Sequence, residues 1–287
     1  MFKRAFHEAT KTEIRIAISV LIIATFVIIC ISHTHYSKPD FLEGILVESH
    51  GMLLDILVIG VFILWLNSHR LKTDRIERFL EEIDDFREWE SQEASQRISG
   101  NIKRLNLSGV TKITLSRCYL RAADLRSVNL SHSPMHRVDL GKSRLRHARL
   151  DYVDLDTAFL GMCDLRATSF ISANLERVRF FFARANGAIF TKANLRKADM
   201  KHGQFRNADF KECNFSEAKL TGADMAGADF RGATNLSIEE LLKTKSLGYA
   251  LFDVSIEKEI LEKAPDLLRH YKPPVTSYAQ QGTPANS

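Results

Sequence analysis

The chain has 287 residues, of which 45% are hydrophobic and 26% charged, and its formal net charge is +5. The charge is uneven, because residues 101–234 carry 23 Lys and Arg against 13 Asp and Glu, whereas residues 1–100 carry 11 against 15. The composition also changes near residues 70, 100 and 235. These changes argue against one compact domain and predict separate regions.

Residues 1–69 contain two apolar stretches, 16–31 and 45–66. The first just reaches the length that crosses a bilayer, and no small-residue cleavage site follows it, so a two-span transmembrane hairpin is predicted. Basic residues precede the first stretch and follow the second, while the connecting loop holds only Lys38. The positive-inside rule then places both termini on the cytoplasmic side of the inner (plasma) membrane, with membrane lipids as partners.

Asp55 is the exceptional residue of the second stretch. At about 1.5 Å of rise per residue it would lie about 16 Å from the cytoplasmic end of the span, near the bilayer midplane. A carboxylate there is costly unless it is protonated or paired. Two explanations stay open: oligomerisation around a polar interior, or a protonated Asp55 bonded to Ser19, Thr25 or a neighbouring helix.

Residues 70–100 are predicted to form an amphipathic linker helix. Ile76, Phe79, Ile83 and Phe86 recur at helical spacing, and no Gly or Pro interrupts residues 70–97. This apolar stripe has two interpretations. It could close a short coiled coil, or it could cover the open apolar end of the region that follows.

Residues 101–234 follow one unbroken period of five. Every fifth residue from Leu105 to Phe230 is large and apolar except Ala185, and a second series, two residues earlier, is small almost throughout. Neither the helical period of 3.6 nor the strand period of 2 gives this pattern. It predicts a solenoid that turns a corner every five residues, with the large side chains filling its axis and no room inside for a ligand.

The segments AADLRSVNL, TKANLRKADM, FRNADFKECNF and LTGADMAGADF resemble the A-D/N-L-x-x repeat of the pentapeptide-repeat family. The resemblance covers residues 101–234. It implies an all-β solenoid, a right-handed quadrilateral β-helix with four pentapeptides per coil. At about 4.8 Å per coil, such a rod would be about 31 Å long.

The remaining residues are predicted to close the far end of the rod. Ser237 with Glu240 is typical of a capping box that opens a helix, and 235–271 would form a helical cap. The Pro- and Gly-containing segment 272–287 has the composition of a disordered tail.

No arrangement of a nucleophile, base and oxyanion donors emerges, so we predict that the chain is not an enzyme and needs no cofactor or metal. Cys118, Cys163 and Cys213 fall in the small inward series and are interpreted as small buried hydrophobes.

Residues twenty apart should stack on one face of the rod, and this places two surfaces. The first is a basic strip that either forms a solvated mixed-charge face or binds anions such as lipid headgroups, nucleic acid or an acidic protein. Its members are Arg126, Arg144, Arg146, Arg166, Arg184 and Arg206. The second is an apolar patch of Phe159, Met162, Phe181 and Phe182, which is either a protein interface or a surface covered by the terminal helices.

These observations favour a membrane-anchored, non-enzymatic scaffold whose cytoplasmic β-helix binds a partner protein or a second copy of the chain. The alternative is an oligomeric channel or membrane-disrupting effector of the toxin or defence type, in which Asp55 lines a pathway and the rod serves as a sensor or assembly module. The resemblance also implies a comparison with soluble family members that present an acidic, DNA-like rod to type II topoisomerases. The basic charge of residues 101–234 argues against topoisomerase as a partner, and nothing in the sequence specifically supports nucleic acid.

Overall fold

The computed structural model describes residues 39–268, together with Phe26. The chain divides into two compact units, Met1–Glu77 and Arg78–Ser287. The helices of the described part are α1 (Pro39–Asp85), α2 (Gln92–Leu107), α3 (Ile238–Leu242) and α4 (Val254–Lys263), and a 3₁₀ turn follows at Pro265–Leu268.

Apart from Phe26, the described part of the first unit belongs to α1, which runs without a break past the predicted second span. Large apolar side chains are exposed along it between Val58 and Leu66, and Asp55 is exposed as well. Among the residues described by the structure, no helix is sufficiently long and apolar to traverse a bilayer. The predicted two-span hairpin is therefore not supported, and its first span, 16–31, lies outside the described residues except for Phe26.

The linker predicted as one helix over 70–100 is two helices. α1 ends at Asp85, and Ser91 caps the start of α2, its hydroxyl accepting a hydrogen bond from the backbone N–H of Ala94 at 3.0 Å. α2 continues to Leu107, so the β-helix does not begin at residue 101 as predicted. The reason is a competing helical pattern, because Ala94, Ile98, Ile102 and Leu105 are spaced at four, four and three residues and are all fully buried.

The β-helix itself begins at Leu115, whose N–H donates to the carbonyl of Pro134 at 2.8 Å. Parallel bridges join residues twenty apart, from Tyr119–Asp139 onward, so each coil has four five-residue sides. Every fifth residue from Leu115 to Phe230 is buried. The predicted β-helix and its five-residue register are thus confirmed.

Each corner of the β-helix places one residue in the left-handed backbone region. Ser127 and Thr157, each two residues after an axial leucine, both have φ of 58°. For residues other than glycine, this conformation costs roughly 1–2 kcal/mol each. Hydrogen bonds between coils offset the cost, as where the N–H of Ser127 donates to the carbonyl of Arg146 at 3.0 Å.

The repeat ends later than the predicted residue 234. Asp224 and Asp229 bridge to Ser246 and Leu251, which are two residues further on than the earlier interval of twenty. The insertion accommodates α3. Beyond it, Phe252 stacks on Phe230 with ring centroids 5.0 Å apart, so the axial column extends past the insertion.

The register makes a direct stability prediction. Leu165→Asp should unfold the β-helix, because an unpaired carboxylate at a fully buried axial position is strongly unfavourable. The adjacent Arg166→Gln should destabilise the β-helix far less, since its side chain lies at the surface and its ion pair with Asp164 is only partly buried. Thermal unfolding followed by circular dichroism measures both. Equal losses of stability in the two variants would show that the axial register is wrong.

Candidate functional site

The interior of the β-helix is filled. Phe170, Phe190, Phe210 and Phe230 stack on successive coils, with centroid separations of 5.1, 4.8 and 5.3 Å. The inward-facing cysteine thiols are unreactive. Burial raises the pKa of Cys163 to about 12, which keeps the thiol protonated at neutral pH. Candidate sites must therefore lie on the outer faces.

The first surface is the arginine face, the side of the β-helix whose axial residues include Leu125, Leu145 and Leu165. All six arginines of the predicted basic strip lie on this face or its corner: Arg126, Arg144, Arg146, Arg166, Arg184 and Arg206. The residues along its middle alternate in charge on successive coils, in the order Asp124, Arg144, Asp164 and Arg184.

Carboxylates on the arginine face neutralise part of its charge. Both oxygens of Asp124 accept hydrogen bonds from Arg126 at 2.8 Å, and Asp164 accepts from Arg166 at 2.7 and 2.6 Å. The guanidinium of Arg126 holds the pKa of Asp124 well below its usual range, and Arg166 lowers that of Asp164. These pairs give the face the character of a mixed-charge surface.

The carbonyl of Arg146 accepts a hydrogen bond from the N–H of Ser127 at 3.0 Å, whereas its side chain has no ion pair or hydrogen bond among the residues described. It lines a shallow depression of about 400 Å³ with Lys103, Arg126 and His147, and Asp124 lies in the same depression. Lys103, Arg146 and the imidazole of His147 surround the carboxylate of Asp124, which already accepts hydrogen bonds from Arg126. An anion would therefore meet a positive but partly compensated site.

The second surface is the aromatic face, the side whose axial residues are Leu140, Leu160, Phe180 and Met200. The predicted apolar patch lies here, and we call Phe159, Met162, Phe181 and Phe182 the aromatic patch. The ring centroids of Phe159 and Phe181 are 5.3 Å apart, and those of Phe181 and Phe182 are 6.2 Å apart. Met162 precedes Phe182 by one coil at the same corner. The exposed fractions of these two side chains are 48% and 54%.

Two glycines make room for the ring of Phe159, a feature that the sequence interpretation missed. A Cβ atom at Gly141 would lie 2.5 Å from the Phe159 ring, and one at Gly161 would lie 2.8 Å from Phe159 and 2.9 Å from Phe181. The glycines occupy the same corner position on successive coils. Their spacing of twenty residues was a signal available in the sequence.

Cations surround the aromatic patch. The guanidinium carbons of Arg121 and Arg179 lie 5.6 and 4.8 Å from the centroid of the Phe159 ring, within the range of cation–π attraction. Lys142 and Lys201 occupy corner positions one coil before Met162 and one coil after Phe181. The patch is thus an apolar cluster with a mostly positive rim, in which Arg121 already pairs with Asp139 at 3.5 Å.

Residues 111–141, 173–211 and 204–234 match the family described as pentapeptide repeats, in eight copies. Because the matched residues lie almost entirely in the β-helix, we call it the pentapeptide-repeat domain.

Several solved pentapeptide-repeat proteins resemble the chain at low identity. HetL, involved in heterocyst differentiation regulation in the cyanobacterium Nostoc, is 20% identical with a TM-score of 0.31, and the match covers 49% of this chain and 66% of HetL. A protein of the Arabidopsis thaliana thylakoid lumen is 22% identical with a TM-score of 0.28, covering 39% and 63%. QnrB1, a plasmid-mediated fluoroquinolone resistance protein, is 13% identical with a TM-score of 0.31, covering 51% and 71%. The chain thus spans less than two thirds of the first two proteins. No curated protein sequence matches significantly.

The glycine pair of this pentapeptide-repeat domain generates a prediction. Gly161→Ala should displace the rings of Phe159 and Phe181 outward. The new methyl group would lie too close to both rings and to no backbone atom, so the side chains and not the backbone should move. Hydroxyl-radical footprinting should show faster modification of both phenylalanines. Gly100→Ala in α2 is the matched control, since its Cβ would meet only Arg104 at 3.8 Å, and footprinting of the patch should not change. An unaltered rate at Phe159 in Gly161→Ala would contradict the packing described.

Proposed function

We propose that the chain is a non-enzymatic scaffold whose pentapeptide-repeat domain binds a protein partner through the aromatic patch. The observation that carries this proposal is the contiguous exposure of Met162 and Phe182 beside Phe159 and Phe181 in the middle of a regular β-helix. Axial packing does not require large apolar side chains at these outward positions. Contiguous apolar surface with a polar rim is typical of interaction sites, and aromatic residues, Met and Arg are enriched there.

The arginine face is the less favourable docking surface. Arg126, Arg166 and Arg206 already engage Asp124, Asp164 and Asp224, so a ligand would have to compete with preformed ion pairs. A polyanion such as nucleic acid would gain less there than the number of arginines suggests. The excess of basic residues also differs from the acidic surface needed to mimic DNA, so we do not extend a DNA-like role to this chain.

The proposal includes attachment to a membrane through α1, with the pentapeptide-repeat domain on the cytoplasmic side. It is supported by exposed apolar side chains between Val58 and Leu66, which occupy every side of the helix. Basic residues follow this stretch, including Arg70 and Lys72, as expected for the cytoplasmic end. The channel alternative rests on Asp55 alone, and the described contacts give it no second pore-lining group.

Membrane attachment is tested by fractionation of cells that express the full-length chain. The chain should remain in the membrane fraction after washing with concentrated salt and should be released by detergent. Ile59→Asp with Ile63→Asp should shift it to the soluble fraction, because both changes add charge to one side of the apolar stretch. Thr73→Asp, beyond the stretch, is the control and should not alter the distribution. Release of the wild-type chain by salt alone would contradict attachment through α1.

Partner binding is tested by placing a photo-crosslinking amino acid at position 182 of the full-length chain in cells. Irradiation should produce a protein adduct, because the side chain of Phe182 is 54% exposed in the aromatic patch. The matched control is position 152, where Tyr152 is 55% exposed on a different side of the β-helix. If position 182 gives no adduct in a chain that retains wild-type thermal stability, the aromatic patch is not the binding surface.

A further inference from the structure

We propose that the partner of the aromatic patch is a second copy of this chain, which inserts Trp89 between the phenylalanines and the surrounding cations. This inference rests on the proposed function, since it names the occupant of the same patch. The inserting segment is the Trp89 loop, residues 84–90, which joins α1 to α2 within the second unit.

Trp89 is presented to solvent by an ordered loop. Its side chain is 60% exposed, and its ring makes an edge contact with Phe86 at 5.3 Å. The loop is fixed to the first coil, because Arg87 donates to the carbonyl of Ser116 at 2.7 Å and Glu88 pairs with Arg117 at 3.0 Å. The loop that carries Trp89 is therefore already attached to the β-helix before binding, which lowers the ordering cost of association. Tryptophan is also among the residues that most often dominate binding energy.

The charges of the two surfaces are complementary. Two acidic residues of the Trp89 loop, Asp85 and Glu90, have no ion pair among the residues described, whereas Asp84 pairs with Arg87 and Glu88 with Arg117. Around the aromatic patch, Lys142, Arg179 and Lys201 have no ion pair among the residues described, whereas Arg121 pairs with Asp139 at 3.5 Å. An aromatic anchor flanked by carboxylates therefore faces an aromatic cluster flanked by cations, and this complementarity favours one orientation of the two copies.

The positions of the two surfaces favour a closed dimer. The loop is attached at Ser116 and Arg117, the corner that leads into the aromatic face, whereas Phe159 lies two coils further along. At about 4.8 Å per coil, the two coils to Phe159 and the three coils to Phe181 correspond to about 10–14 Å along the β-helix. Two antiparallel copies related by a two-fold axis through the intervening coil would each place Trp89 opposite the other's patch. Such an isologous interface makes two identical contacts and then closes.

The first experiment measures the mass of the full-length chain by size-exclusion chromatography with light scattering. A mild detergent covers the apolar stretch of α1, so that association through this stretch is suppressed. The wild-type chain should be a dimer. Trp89→Ser and Phe182→Ser should each weaken dimerisation at least about 30-fold, as expected for central aromatic anchors. Val254→Ser is the matched control, because Val254 is 83% exposed on α4, and this variant should remain dimeric.

The second experiment tests pairing of the charges. Lys142→Glu with Lys201→Glu should weaken the dimer, and combining it with Asp85→Lys and Glu90→Lys should restore it. In a mixture of ¹⁴N- and ¹⁵N-labelled chains, a zero-length carboxyl–amine cross-linker should join Glu90 of one isotope to Lys142 or Lys201 of the other. The cross-link should be lost in Trp89→Ser.

Dimerisation that survives both Trp89→Ser and Phe182→Ser would overturn the proposal, as would a wild-type chain that is monomeric at micromolar concentration. If the chain is monomeric but position 182 still forms an adduct with a different protein, the second-copy proposal fails and the aromatic patch remains an interaction site. If position 182 forms no adduct in a folded chain, both proposals fail.

Discussion

The burial of one large apolar side chain every five residues is the constraint on which the pentapeptide-repeat domain depends. It brings four backbone segments so close to a common axis that stacked rings such as Phe190 and Phe210 fill the space between them. The corner residues must then adopt the left-handed backbone conformation, and their amides are used in hydrogen bonds between coils. Because neither the interior nor this part of the backbone is free to bind a ligand, function is left to the outward side chains.

The same period made much of the structure predictable. A residue's neighbours on the surface are those twenty positions away, so the sequence alone could group the six arginines on one face and Phe159 with Phe181 on another. The sequence alone could not predict which carboxylate each arginine contacts. Asp124 lies close to both Arg126 and Arg144, and the side-chain rotamers determine which pair forms the shorter contact. The space for the Phe159 ring depends on the absence of a side chain at Gly141 and Gly161, and the twenty-residue spacing of these glycines was its only signal in the sequence.

The ends of the domain were harder to predict for a different reason. Leu105 satisfies the five-residue period and also the helical spacing set by Ile98 and Ile102, and the helix prevails because Ser91 caps its start and the apolar residues line one side. At the other end, an insertion of two residues shifts the phase of the repeat. Leu247 and Phe252 are still five residues apart and both are buried, but a count that keeps the original phase does not reach them.

The rigidity of the β-helix also determines how its surfaces can act. Phe159 and Phe181 are held on neighbouring coils by the axial residues beside them, and Trp89 is held by the hydrogen bond of Arg87 to the first coil. Neither surface needs to fold or reorganise before binding, so the ordering cost of association is small and a modest contact area can support a specific complex. Because both surfaces are anchored to the same stack of coils, their separation is set by the number of coils between them. Geometry of this kind selects a partner with matching spacing, and a second copy of the chain has that spacing by symmetry.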